Sequence, residues 1–158
     1  DVDLATGESW RESSVYGPGE QVVAADTPWG RMGFSICYDM RFPDLYRAMT
    51  NAGATILLAP AAFTVPTGQA HWHVLLRARA IEAGCFVIAT AQTGHHQDGR
   101  TTYGHSVVID PWGEVLLDMG EEAGLGLADI DLSRIGDVRG RVPALANRRP
   151  IPQDVTVS

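Results

Sequence analysis

Two short apolar runs, Thr55–Ala59 and Cys85–Ala91, constrain the fold of this chain more than any other feature. A strand with one wetted face alternates apolar and polar residues, whereas an unbroken apolar run suits a strand buried on both faces. Such a strand needs cover, and each run follows a stretch with helical spacing. Phe42–Asn51 places Leu45, Ala48 and Met49 on one side and meets Gly53 as a stop. Gln69–Ala83 carries the stripe Val74, Leu75, Ala78 and Ile81 and ends at Gly84.

Ahead of these units, Gln21–Ala25 and Arg31–Cys37 read as strands joined by the turn Thr27-Pro28-Trp29-Gly30, in which Pro presets φ and Gly is free to take φ > 0. The same device returns as Ser106–Ile109, Asp110-Pro111-Trp112-Gly113 and Glu114–Leu117, and a last strand is expected near Gly126–Ile130. The order β-β-α-β-α-β, then a hairpin and a strand, describes an α/β sandwich with helices covering sheet. From Arg134 through Arg148-Arg149-Pro150 the Arg- and Pro-rich chain (134–158) reads as an extended tail lying over a surface or another subunit.

With 158 residues, 45% of them hydrophobic and 20% charged, the chain can build one globular core. No apolar stretch is long enough to cross a bilayer, and a net charge of -7 opposes general affinity for nucleic acid or acidic membranes. Cys37 and Cys85 both sit in buried-looking strand contexts and nothing resembles a secretory signal, so both are expected free in a reducing, cytoplasmic setting. The opening Asp1-Val2-Asp3-Leu4 reads as the middle of something longer, and an upstream segment is expected.

Cys37 carries the chemistry or is a small core hydrophobe, and taken alone both readings stand. A thiolate is the nucleophile, and an ordinary thiol with a pKa of about 8.5 is only a few per cent ionised at neutral pH. At a strand-to-helix junction, helix N–H groups and Arg41 one turn on would favour the anion, and the backbone N–H of Tyr38 would point toward an oxyanion formed by attack on a carbonyl or nitrile carbon. Cys85, inside Gly84-Cys85-Phe86-Val87-Ile88, reads as core. His71 and His73, two apart on a helix, do not face each other and make a poor metal pair. His95-His96-Gln97-Asp98-Gly99 reads as an exposed polar loop, and Arg77, Arg79 and Glu82 as a buried or interfacial charge network. His105 could partner Cys37 in a Cys–His hydrolase.

The longer words around Cys37 are specific. Gly33-Phe34-Ser35-Ile36-Cys37-Tyr38-Asp39-Met40-Arg41-Phe42-Pro43-Asp44, then Pro60-Ala61-Ala62-Phe63, Thr67-Gly68-Gln69-Ala70-His71-Trp72, Leu76-Arg77-Ala78-Arg79-Ala80-Ile81-Glu82 and Tyr103-Gly104-His105-Ser106, closely resemble the nitrilase, or carbon–nitrogen hydrolase, superfamily. Within it the chain looks most like the branch of ω-amidases and deaminated-glutathione amidases, and the resemblance covers nearly its whole length as the C-terminal portion of one domain.

The resemblance implies a four-layer αββα sandwich with mixed sheets and a Glu–Lys–Cys triad in which Cys37 is the nucleophile. Glu12, in Trp10-Arg11-Glu12-Ser13-Ser14, aligns with a supporting glutamate, although it also reads as a solvated loop carboxylate. Arg41, Phe63 and Thr64 would lie near the substrate, with Arg41 equally readable as a structural ion-pair partner. The base Glu and the Lys belong to an earlier half; relatives carry the Lys in a Tyr-Arg-Lys word shortly before the Asp-Val-Asp-Leu position. This chain has twelve arginines and no lysine, so nothing in it can stand in for that residue. The implied reaction is hydrolysis of a small amide through a thioester, without metal or organic cofactor, in a homodimer or larger homo-oligomer. The chain alone is expected to be inactive. A degenerate binding or scaffold module of the same fold is the alternative.

Overall fold

A computed structural model of the chain describes residues 2, 3, 7 and 9–152. Its elements run β1 (Val2–Asp3), β2 (Ser9–Trp10), β3 (Val23–Thr27), β4 (Gly30–Phe34), α1 (Pro43–Asn51), β5 (Ile56–Leu58), α2 (Val65–Thr67), α3 (His73–Ala83), β6 (Phe86–Ala89), β7 (Thr93–His95), β8 (Thr101–Tyr103), β9 (Val107–Ile109), β10 (Val115–Asp118) and α4 (Ser133–Arg141). Six strands form one mixed sheet in the order β10-β9-β6-β5-β4-β3. β4, β5 and β6 are parallel, and the hairpins β3–β4 and β9–β10 supply the antiparallel flanks.

The two apolar runs occupy the centre. Register places Met32, Ile56 and Phe86 in one row and Gly33, Leu57 and Val87 in the next, so successive rows face opposite sides. The second row lies under α1 and α3, where Met49, Leu76, Ala80 and Trp72 are completely buried. Gly33 is required there because a Cβ would come within 2.7 Å of Met49 Sδ and 3.1 Å of Leu57 Cδ2. On the other face Ile56 and Phe86 pack against Ile135 of α4, while Phe34 stays 41% exposed.

Several local expectations shift. Strand β4 ends at Phe34 rather than running to Cys37, and β3 lies two residues later than Gln21–Ala25. On α1 the buried residues are Tyr46, Met49 and Thr50, rotated from the expected stripe. The second helix begins earlier than Gln69: α2 continues through a π-helical segment, Gly68–Trp72, into α3. On α3 the expected stripe is the wrong face, because Leu76, Arg79, Ala80 and Ala83 are buried whereas Val74 and Ile81 are 67% and 52% exposed. The helix is apolar on two sides, and only its neighbours decide which side meets the sheet.

Gly126–Ile130 forms no strand among the described residues; Leu127 within it and Leu125 just before it are exposed. The segment from Arg134, expected as an extended tail, begins as helix α4. Asp131, two residues ahead of its start, accepts the Ser133 N–H at 2.9 Å. Ile135 and Val138, three apart, bury one side, and Arg139 donates to the Gly84 and Ala83 carbonyls at the end of α3. Its last residues, 153–158, lie outside the described set.

Candidate active site

The parallel strands β4, β5 and β6 all end on the same side of the sheet, where an open cleft of about 470 Å³ forms. Its walls are Ile36 and Cys37 after β4, Pro60-Ala61-Ala62 after β5, Thr90-Ala91-Gln92 after β6, and Glu12 from the N-terminal stretch. A parallel bridge between Ala61 and Ala91 carries the strand pairing past the ends of β5 and β6 and so fixes the floor.

Cys37 is held in this cleft by the turn that leaves β4. Ser35 donates its N–H to the Leu58 carbonyl at 3.0 Å, and its hydroxyl lies 2.6 Å from the Tyr46 hydroxyl. The Cys37 N–H then donates to the Pro60 carbonyl at 2.8 Å. Cys37 takes φ +47, a left-handed conformation costly for a residue with a Cβ, and opens the 3₁₀ turn Cys37–Arg41. The turn is pinned twice: Asp39 Oδ2 accepts from the Ile36 N–H at 2.9 Å, and Arg79 Nε donates to the Met40 carbonyl at 2.9 Å. Strain persists where surrounding contacts over-determine it, as these do.

Burial pushes the Cys37 thiol above the ordinary range, and the charge of Glu12 adds to this. The backbone N–H groups of Ala62 and Tyr38 and the charge of Arg41 act the other way but do not prevail. The expected help from the helix start and from Arg41 is therefore real in sign and outweighed in size. A thiol in this setting needs a base to take its proton before it attacks.

The remaining candidates fall in different places. Arg41 lies over the rings of Tyr38 and Phe63, at 5.4 and 5.3 Å, and donates to His71 Nδ1 at 3.3 Å. No ion pair joins it to a carboxylate among the described residues. Phe63 is 6% exposed, edge-on to Trp72, and Thr64 is 8% exposed with its hydroxyl 2.8 Å from that of Thr67; no wall of the cleft includes them. Of the expected network Arg77, Arg79 and Glu82, Arg79 bonds Glu82 at 2.7 Å and lies over Tyr46, whereas Arg77 turns away and donates to the Gly113 carbonyl at 2.8 Å. Cys85 is buried and receives an N–H from Arg139.

His105 bonds Asp118 rather than Cys37, and no histidine lines the cleft among the described residues. His71 and His73 turn to different partners, Arg41 and Asp118. His95 and His96 bond Thr101 and Thr102 on the β7–β8 hairpin. Among the described residues one group, His73, His105 and Asp118, is spaced to hold a metal ion, and it lies apart from the cleft. The sequence gives the Ala62 N–H, Thr90 and Gln92 no role, although Thr90 lies inside the run Cys85–Ala91, Gln92 follows it directly, and Ala62 stands three residues past Thr55–Ala59.

The pattern of the carbon–nitrogen hydrolase family matches residues 2–140. The deaminated glutathione amidases of Synechocystis and Homo sapiens are each 48% identical to this chain, over 94% and 95% of its length and 55% and 46% of theirs. The chain thus spans about half the length of the curated relatives it matches. The crystal structure of the C. elegans NitFhit protein superposes with a TM-score of 0.82 at 44% identity, covering 94% of this chain and 36% of that one. An amidase from Nesterenkonia sp. AN1, solved as a mutant with the acetamide moiety of fluoroacetamide added covalently at its active site cysteine, gives 0.75 at 29% identity over 90% of this chain and 50% of its own.

Proposed function

The chain belongs to the carbon–nitrogen hydrolase family and has its αββα fold, and from that premise we propose that the protein carrying it is an ω-amidase-like hydrolase with Cys37 as nucleophile. The observation that supports this reading most is the left-handed Cys37 at the ends of three parallel strands, facing an open cleft with two backbone N–H groups at its sulfur.

In the reaction we infer, a base removes the thiol proton and Sγ attacks the carbonyl carbon of a small amide. The oxyanion is held by the Tyr38 N–H, with which the Ala62 N–H converges. The C–N bond breaks, the nitrogen leaves protonated as ammonia, and a thioester remains on Cys37. Water attacks the thioester, the acid is released and the thiol is restored. No step calls for a metal or an organic cofactor. Glu12 lines the cleft and supports the site, while the family resemblance places the base Glu and the Lys outside these residues. Arg41 is poised by its two aromatic neighbours to meet a substrate carboxylate, with Phe63 acting from behind as one of those two rings and Thr64 packed beside it.

The chain alone is inactive in this reading, because its thiol is raised and it has no lysine. The same observation favours the second reading, a non-catalytic module of the same fold. The exposed Val74 and Ile81 on α3 support a homodimer through that helix, and the mass of the full-length protein in solution decides it. Two free cysteines accord with a reducing, cytoplasmic setting, which fractionation of cells would test; no described helix is long and apolar enough to cross a membrane. The decisive experiment is ammonia release by the full-length protein from α-ketoglutaramate and from deaminated glutathione. Turnover is expected to fall roughly 10⁴-fold or more in Cys37→Ala. Turnover retained in that variant overturns the assignment, and no turnover of any small amide by the unaltered protein favours the scaffold reading.

A further inference from the structure

His73, at the start of α3, His105, before β9, and Asp118, at the end of β10, bring two imidazoles and one carboxylate together from three separate elements. We propose that these three residues form a binding site for a divalent transition-metal ion of the zinc type, separate from the Cys37 cleft. This site is independent of the amidase reading.

The geometry comes first. His73 Nε2 lies 2.8 Å from Asp118 Oδ2, and His105 Nδ1 lies 2.9 Å from Asp118 Oδ1. The three ligand atoms all fall within 4.8 Å of one another. Around a tetrahedral zinc ion with bonds of about 2.0–2.1 Å, neighbouring donors stand roughly 3.3 Å apart. The carboxylate therefore has to open from each ring by about 0.5 Å, and the two imidazole nitrogens, at most 4.8 Å apart, have to close by up to ~1.5 Å, within the reach of χ adjustments in the three side chains.

The ligands are also held in place. His105 takes φ +58, and its backbone is fastened on both sides: its N–H donates to the Gly120 carbonyl at 2.6 Å and its carbonyl accepts from Trp72 Nε1 at 2.7 Å. Its ring stacks on Tyr103 at 4.3 Å and meets the His73 ring edge-on at 5.2 Å. Asp118 Oδ1 also accepts the Gly120 N–H at 2.9 Å, an outer contact that fixes the carboxylate. A non-glycine residue kept in the left-handed region to aim a side chain at two others is a costly arrangement for a surface hydrogen bond alone.

The donor set fits the ion. Imidazole suits zinc and its neighbours, and two imidazoles with one carboxylate leave a fourth position open. The side chains are 29%, 20% and 33% exposed, so that position has access to water. On binding, the two N–H···O bonds to Asp118 break, and each neutral imidazole carries its proton on the other ring nitrogen. The metal then takes His73 Nε2, His105 Nδ1 and a carboxylate oxygen, with water completing the set.

The test uses the full-length protein in a Cys37→Ala background, so that the cleft thiol cannot bind the probe. Calorimetric titration with Zn²⁺ should show one saturable site per chain. His73→Gln, His105→Asn and Asp118→Asn should each weaken it by at least the ~10–100-fold typical of losing even an outer contact. His95→Ala with His96→Ala should leave it unchanged. Absence of saturable binding, binding indifferent to the first three changes, or binding lost with His95 and His96 overturns the proposal. If those variants fail to fold, the Co²⁺ spectrum of the Cys37→Ala protein decides. A four-coordinate nitrogen–oxygen spectrum supports the site, and the spectrum of hydrated ion alone rejects it.

Discussion

Among the described residues, two without the freedom of glycine take positive φ, Cys37 at +47 and His105 at +58, and their surroundings are opposite in character. Cys37 sits against donors, the N–H groups of Ala62 and Tyr38, with Arg41 nearby. His105 sits against an acceptor, the Asp118 carboxylate, and shares it with His73. The same backbone strain thus serves one residue turned toward N–H donors and one turned toward an acceptor. What each strained residue can do is set by the polarity of the groups it is turned toward, more than by the strain.

The most severe way to disturb the first of these places is to remove its support. Arg79→Ala strips the Met40 carbonyl of its side-chain donor and leaves a cavity under Tyr46. Denaturant unfolding should show a loss of roughly 3 kcal/mol, from a buried acceptor left unpaired plus a large-to-small change. The Asp118 group should keep its hydrogen bonds. A loss below about 0.5 kcal/mol, the range of ordinary surface changes, would mean that the Cys37 turn holds itself.

A smaller effect tests whether the two strains are equivalent. Cys37→Gly and Cys37→Ala differ only by a Cβ in the left-handed region, so the glycine variant should be more stable by about 1 kcal/mol. The pair His105→Gly and His105→Ala should give the same difference in a thermal melt. A difference at one position and none at the other would break the parallel.

The smallest effect is electrostatic. Because burial raises the Cys37 thiol above its unfolded value, alkylation by iodoacetamide at neutral pH should be slower than that of a free thiol, with the rate climbing only above the ordinary thiol range. The sign for stability follows. A folded pKa above the unfolded one gives a contribution fully present below the unfolded thiol pKa and lost as pH rises through the folded value. Cys37→Ala should therefore flatten the fall in stability on the alkaline side. A rate that climbs at or below the pH range of an ordinary thiol would show that the N–H groups and Arg41 outweigh burial.

Much of the fold was legible. The apolar runs became β5 and β6, the Pro-Trp-Gly turns joined β3 to β4 and β9 to β10, and Gly53 and Gly84 follow the ends of α1 and α3 with φ +90 and +55. Helix α4 was missed because its apolar content is confined to Ile135 and Val138 among glycines and arginines, so that docking holds it more than propensity does. Of the candidate site, Cys37 and Glu12 were legible and do share a cleft, whereas Phe63 and Thr64 are taken up by packing. The Ala62 N–H could not be read, since any residue supplies one and only the bend after β5 aims it.

The sequence alone determined the order of elements from β3 to β6 and the β9–β10 hairpin, where several of them stop, and which family words surround Cys37, because these depend on local periodicity and on residues close together in the chain. Tertiary structure decided which side of α3 is buried, the left-handed turn at Cys37, and the meeting of His73 with Asp118 across 45 residues. Those are outcomes of long-range packing, in which the position of one side chain is fixed by neighbours that no local pattern specifies.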